Sequence, residues 1–182
     1  MRRGRGGRTT IGQAAVLLTA AVLVAGCAHA ATPQGAPPEQ SSDAVPTVRD
    51  ARDARAANPC SVPTKAQLTA LGVSSAGTPV TAPEGPRCEW HGRPELGITL
   101  YTSGGGIATL ARNSEPTTSR VRLAGYPALE TFTGTGEFCQ YDVGVAETQV
   151  LSASLDGGSP DSCTALQAVL PDVVANLPAL TG

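Results

Sequence analysis

Four cysteines, Cys60, Cys88, Cys139 and Cys163, constrain this 182-residue chain more than any other feature. Aromatic residues make up only 3% of it, so a core must be built mainly from Val, Leu and Ala around Trp90, Tyr101 and Tyr141. Such a core gains from covalent closure, and an even number of cysteines in an exported chain reads as two disulfides. Four cysteines allow three pairings. Sequence alone does not choose among them; the pairing leaned to joins Cys60 to Cys88 and Cys139 to Cys163, clamping a helix end to a strand in each half. Each loop of that size is worth about 3 kcal/mol in the chain-entropy picture. Zinc is disfavoured by spacing, because the domain holds no C-x-x-C or H-x-x-x-H pair and His91 is its one histidine.

Export itself is read from the amino terminus. Arg2, Arg3, Arg5 and Arg8 precede a charge-free run, IGQAAVLLTAAVLVAG over 11–26, in the pattern of a secretory signal peptide. The fully apolar part is shorter than the roughly 20 residues a helix needs to cross a bilayer. Val24-Ala25-Gly26-Cys27 resembles the bacterial lipobox, in which the cysteine sulfur receives a diacylglycerol before cleavage makes that cysteine the new amino terminus. Cleavage at Ala28-His29-Ala30 is the alternative. Two or three acyl chains anchor a protein durably, whereas one does so marginally. Lipidation is therefore expected at Cys27, with the protein held on the outer face of the cytoplasmic membrane.

Removing the leader takes four arginines and no acid from 13 basic and 15 acidic residues, which moves the formal charge from −2 to −6. That balance, with Lys65 the only lysine, argues against nucleic acid as a partner. Residues 27–58 read as the lipidated cysteine and a disordered Pro/Ala-rich tether, with a span on the order of 30 Å. Within it, RDARDAR at 49–55 reads as a solvated linker end. Residues 59–182 are then one disulfide-stabilised extracytoplasmic domain.

Along that domain, Thr64 and Gln67 form a capping box for a short helix that buries Leu68 and Leu71 and ends at Gly72. Alternation places Cys88 and Trp90 inward and Glu89 and His91 outward, with LGITLYTS pairing back as a hairpin. Ile107, Leu110 and Ala111 share one face of about two helical turns. RVRLAGYPALETF, EFCQYDVGVAE and QVLSASLDG read as a three-stranded meander, in which Cys139, Tyr141, Val143 and Val145 face the core and Gln140 and Asp142 face water. Ser159 and Pro160 open the last helix, whose stripe is Leu166, Val169, Leu170, Val173, Val174 and Leu177. Pro171 inside it predicts a kink or a break. The fold class expected is α+β: a hairpin and a three-stranded meander in one antiparallel sheet, packed on an N-terminal and a C-terminal helix.

NPCSVPTKAQLTALG, CEW, LAGYPA, CQYDVGV and SCTALQAVLPDVVANLP, in that order, resemble a family of actinobacterial lipoproteins known only by a domain of unknown function. TKAQL stands where TPADL-like residues are expected, and the capping logic survives the difference. The near-exclusive use of arginine over lysine also suits a GC-rich actinobacterial genome. The resemblance implies a lipid-anchored domain outside the membrane, without assigned chemistry, and a PsbP-like sandwich; a fold likeness is no warrant for function.

Candidate chemistry is sparse. A hydrolytic site needs a nucleophile, a base and an orienter, and His91 is read as a surface residue beside a turn. The acids Glu89, Glu95, Glu130, Glu137, Asp142 and Glu147 fall at turns or on wet faces rather than in an aromatic cleft. Ser103-Gly104-Gly105-Gly106 lacks the lysine of a P-loop and reads as a flexible connection, and Trp90 as a core anchor. No catalytic residue, metal ligand or cofactor is expected. The leading expectation is a binding module for another envelope or secreted protein. A carrier of a small apolar or lipid ligand, in a pocket of several hundred Å³ between sheet and helix, is the alternative.

Overall fold

The computed structural model describes residues 47–133, 137–158 and 161–181. The leader, Cys27 and most of the expected tether lie outside them, as do Ser159 and Pro160. Seven strands form one sheet: β1 (Thr78–Ala82), β2 (Gly85–Trp90), β3 (Glu95–Tyr101), β4 (Thr118–Leu123), β5 (Tyr126–Phe132), β6 (Phe138–Gly144) and β7 (Val150–Asp156). Their order is β1-β2-β3-β7-β6-β5-β4, every pair antiparallel. Two meanders thus meet where their last strands, β3 and β7, pair.

The expected sheet was smaller by two strands. β1 is an edge strand carrying Pro79, a residue that belongs at edges because it cannot donate to a ladder. RVRLAGYPALETF is a hairpin rather than one strand, so the second meander has four strands. Leu123 pairs with Tyr126, and Ala124 (φ 49°) and Gly125 (φ 88°) make the two-residue turn between them. Two positive φ values match the right-handed twist of flanking strands, which is why such turns favour Asn-Gly. Alanine in the first position conceals the signal.

Register sets the core. Leu96, Leu155 and Cys139 stand in one row across β3, β7 and β6; Ile98, Ala153 and Tyr141 in the next; Leu100, Leu151 and Val143 in the third. All nine are at most 2% exposed. Helix α3 (Ser162–Ala175) lies over this face, contributing Leu166, Leu170, Val173 and Val174, with Leu177 just beyond its end. The helix runs unbroken through Pro171. The proline removes one backbone hydrogen bond, but the buried stripe on both sides holds the helix together. Helix α1 (Lys65–Ala70) carries the expected capping box: the Gln67 amide donates to Thr64 Oγ1, and the Thr64 amide donates to Gln67 Oε1 at 2.7 Å. Asn176 Nδ2 ties α1 to the end of α3 by donating to Val62 O and Gln67 Oε1.

Disulfides join Cys60 to Cys88 and Cys139 to Cys163, with Cα atoms 5.1 Å apart in each. The first fastens the entry to α1 onto β2, the second the start of α3 onto β6.

Helix α2 (Gly106–Arg112) packs on the opposite face. Ile107 meets Leu129 and Val150, flanked by Tyr101, Leu110 and Ala111, and Gly144 leaves room for the Ile107 side chain. These strand residues alternate with the α3-facing ones, so the sheet has a helix on each side.

The folded body also begins earlier than residue 59. Arg52 bridges to Ala179, and the chain bonds to the carboxyl-terminal segment through Asp53 N to Pro178 O and Leu180 N to Ala51 O. Arg52 N donates to Val145 O at 2.8 Å, and Ala54, fully buried in a short 3-10 turn, donates its amide to Gln149 Oε1. The Arg52 guanidinium donates to Ala175 O, Leu177 O and the Tyr126 hydroxyl. Helix α3 has no basic residue in its own last turn, so Arg52 supplies the positive charge its exposed carbonyls favour. RDARDAR is a strap, not a solvated linker.

Candidate functional site

The sheet face that α2 only partly covers holds most of the polar side chains that converge. Residues alternating with the core rows stand there: Arg87, Thr99, Ser152 and Asp142 in one row, and Glu89, Gly97, Ser154 and Gln140 beside it. Small side chains in the middle make a shallow trough. A Cβ on Gly97 would lie 2.8 Å from Ser154 Oγ and 3.0 Å from Arg87 Nη2, so the guanidinium reaches over the glycine. Arg87 Nε pairs with Glu89 Oε1 at 2.8 Å.

Asp142 is the main departure from expectation on this face. It is 7% exposed rather than wet, because α2 and its neighbours on the same face close over that end of the sheet. Burial pushes its carboxyl above the usual carboxylate range, while hydrogen bonds from the Ser152 hydroxyl and Gln140 Nε2 (3.0 Å and 3.1 Å to the two oxygens) oppose that rise. Tyr101 is shifted the same way, chiefly by burial and then by the negative charges of Asp142 and Glu84, with Arg87 acting against them.

Where the trough runs toward the start of α2, a pocket of about 300 Å³ opens, lined by Pro83, Glu84, Tyr101, Ser103, Gly104, Gly106, Leu110 and Val150. The glycine run is part of its wall. Gly106 takes φ +66°, and a Cβ there would strike the Glu147 carbonyl, so the loop packs directly on the β6–β7 connection. This pocket lies on the side away from α3. The carrier reading expected a pocket of several hundred Å³ between sheet and helix; this one lies between the sheet and α2, while under α3 buried Leu, Val, Ile and Tyr side chains pack together.

The other sequence candidates fall as follows. His91 is exposed, its two ring nitrogens each 3.7 Å from a carboxylate oxygen, Nε2 from Glu89 and Nδ1 from Glu95. Glu95 stands directly opposite Asp156 across β3 and β7. Trp90 is 2% exposed in the core. Glu130 faces α3, bonded to the Tyr141 hydroxyl; burial first, and Glu130 second, push that phenol up to about 12. Glu130 also lies within 4.8 Å of the sulfurs of Cys139 and Cys163, but those sulfurs are bonded to each other and offer no thiolate to a metal. Glu137 and Glu147 sit on loops.

Glu84, Arg87 and Ser152 were not singled out from sequence, and Tyr101, expected in the core with Trp90 and Tyr141, is half-buried on the α2 side instead. The available signal was the unusually small outward set Gly97, Ser152 and Ser154 on central strands, which marks a close approach rather than a packed or charged surface. Among the described residues, no helix is long and apolar enough to cross a membrane. No curated protein and no solved structure matches the chain. One family model, described as a protein of unknown function, matches residues 22–176.

Proposed function

The chain belongs to the DUF3558 family, and we propose that it is an envelope lipoprotein of actinobacterial type, anchored through Cys27, that binds another envelope or secreted protein with the open face of its sheet. The observation that carries binding is that face: beyond α2, half-exposed Arg87, Glu89, Gln140 and Ser154, with exposed Glu95 and Asp156 at its rim, surround a floor of buried Gly97, Thr99 and Ser152. Glu89, Glu95 and Asp156 outnumber Arg87 there, so a partner surface bearing basic groups suits it.

The anchor rests on the leader and on Val24-Ala25-Gly26-Cys27. An extracytoplasmic location agrees with two disulfides, which persist in oxidising compartments. The PsbP-like comparison has its support in a single antiparallel sheet with helices on both sides. A non-enzymatic role agrees with the placement of His91, which has carboxylates beside it but no hydroxyl or thiol nucleophile within the described ion pairs and hydrogen bonds.

Photo-crosslinking residues placed singly at Gln140, Ser154, Gln167 and Ala168 in living cells test the reading. The first two lie on the trough and the last two on the exposed back of α3. Crosslinks to one discrete protein from the trough positions, absent from the α3 positions, are expected. Equal or no crosslinking from both faces refutes the open face as the binding surface.

A further inference from the structure

We propose that the pocket between the β1–β2 turn, Tyr101 and the start of α2 receives a primary ammonium group carried on a short apolar stem, either a free small amine or a lysine side chain of a partner. This goes beyond the docking of a protein on the sheet face and holds whether or not that docking occurs.

Its walls divide by chemistry. Val150 and Leu110 give an apolar floor, extended by Pro83, and Glu84, Tyr101 and Ser103 supply the polar side. Among the described residues, no basic one lines it. Of the nearby cations, Arg87 is paired with Glu89, and Arg55, held by a bond from Nε to the Thr102 carbonyl at 3.1 Å, is not among the lining residues. Glu84 is then the charged side chain of the wall, which favours a cation over an anion or a neutral polar group. An aromatic ring such as that of Tyr101 attracts ammonium groups, and the Glu84 carboxylate adds to that attraction. The Tyr101 phenol is raised chiefly by its burial, with Asp142 and Glu84 adding to the rise and Arg87 opposing it.

The pocket is built rather than adjustable. A Cβ on Gly85 would strike the Leu100 carbonyl, and one on Gly106 the Glu147 carbonyl, so the turn and the helix start are each stacked on a neighbouring backbone. Gly104, with nothing within 4 Å of its would-be Cβ, marks the mouth. A volume near 300 Å³ accepts a four- or five-carbon amine and excludes a folded peptide.

The test is an NMR titration of the purified full-length protein, labelled with ¹⁵N, with n-butylammonium, with 1-butanol, and with Nα-acetyl-lysine-N-methylamide. Saturable millimolar binding of butylammonium is expected, with amide shifts centred on Tyr101, Ser103, Gly104 and Val150 and much weaker shifts from 1-butanol. Glu84 is exposed on a turn, so Glu84→Gln folds normally and should weaken the amine about three- to fivefold. Glu84→Lys, which places an ammonium on the rim, should abolish binding. Binding of the lysine derivative as well identifies a chain-borne side chain as a ligand, and binding of butylammonium alone identifies a free amine. Equal shifts from 1-butanol, shifts centred elsewhere, or no change in Glu84→Gln overturns the proposal.

Discussion

Replacing Arg52 by alanine removes three hydrogen bonds at one stroke, to Ala175 O and Leu177 O at 3.2 Å each and to the Tyr126 hydroxyl at 3.5 Å. The two carbonyls belong to the end of α3 and the segment just beyond, where a cation is favoured by about 0.3–1 kcal/mol. A hydrogen bond from a charged donor is worth roughly 1.5–3 kcal/mol when buried, and the bond to Ala175 is open to water. Discounting for that exposure and for the long contact to Tyr126 leaves a loss of about 1.5–2.5 kcal/mol. Urea unfolding with disulfides intact measures it, with Arg49→Ala, an exposed arginine of the same charge pattern, as the comparison. Arg52→Ala should lower the midpoint at unchanged slope, while Arg49→Ala stays within about 0.5 kcal/mol of the parent. If the two variants are indistinguishable, residues 49–55 behave as solvated linker and the strap has no energetic content.

Ala124→Gly should stabilise the protein by about 1 kcal/mol in the same assay, because φ 49° strains alanine but not glycine; a destabilised variant contradicts the turn assignment. Asp142 has a folded pKa raised by burial, so its contribution is present below the unfolded pKa and is lost as pH rises through the folded one. Asp142→Asn should therefore gain on the parent as pH is raised from about 3 to 7, and a parent that gains on the variant over that range refutes the burial argument. Tyr141 should ionise near 12, so the stability it contributes is full below about 10 and falls between there and 12; tyrosinate absorbance of the parent against Tyr141→Phe checks this, and a phenol ionising near 10 contradicts it. Replacing Cys139 and Cys163 together by serine opens a disulfide spanning 24 positions and should cost roughly 3.5 kcal/mol, read from the unfolding midpoint.

What could be read from the sequence were the elements whose local chemistry and burial agree. Thr64 and Gln67 announce α1 because both halves of the capping box are local, and Cys88 with Trp90 announce an inward face because alternation is local too. The α3 stripe survived even Pro171, since packing outweighs one missing hydrogen bond. What escaped depended on partners far along the chain. The strap looks solvated by composition, yet Arg52 finds its acceptors 123 and 125 residues away. Asp142 alternates as a surface residue should, and is buried because α2 lies on that face. The pocket joins residues from the β1–β2 turn, β3, the glycine run, α2 and β7, a meeting no single stretch could announce.

Intact-mass spectrometry of the full-length gene product, purified from membranes of an actinobacterial host and denatured without reduction, tests the anchoring claim most directly. The account predicts a chain starting at Cys27 with discrete diacylglycerol and acyl increments, and a protein part four hydrogens lighter than its reduced form. An unmodified chain cleaved after Ala30, or a retained leader, would contradict the anchor, and free thiols at Cys60, Cys88, Cys139 or Cys163 would contradict the disulfide frame on which the domain is built.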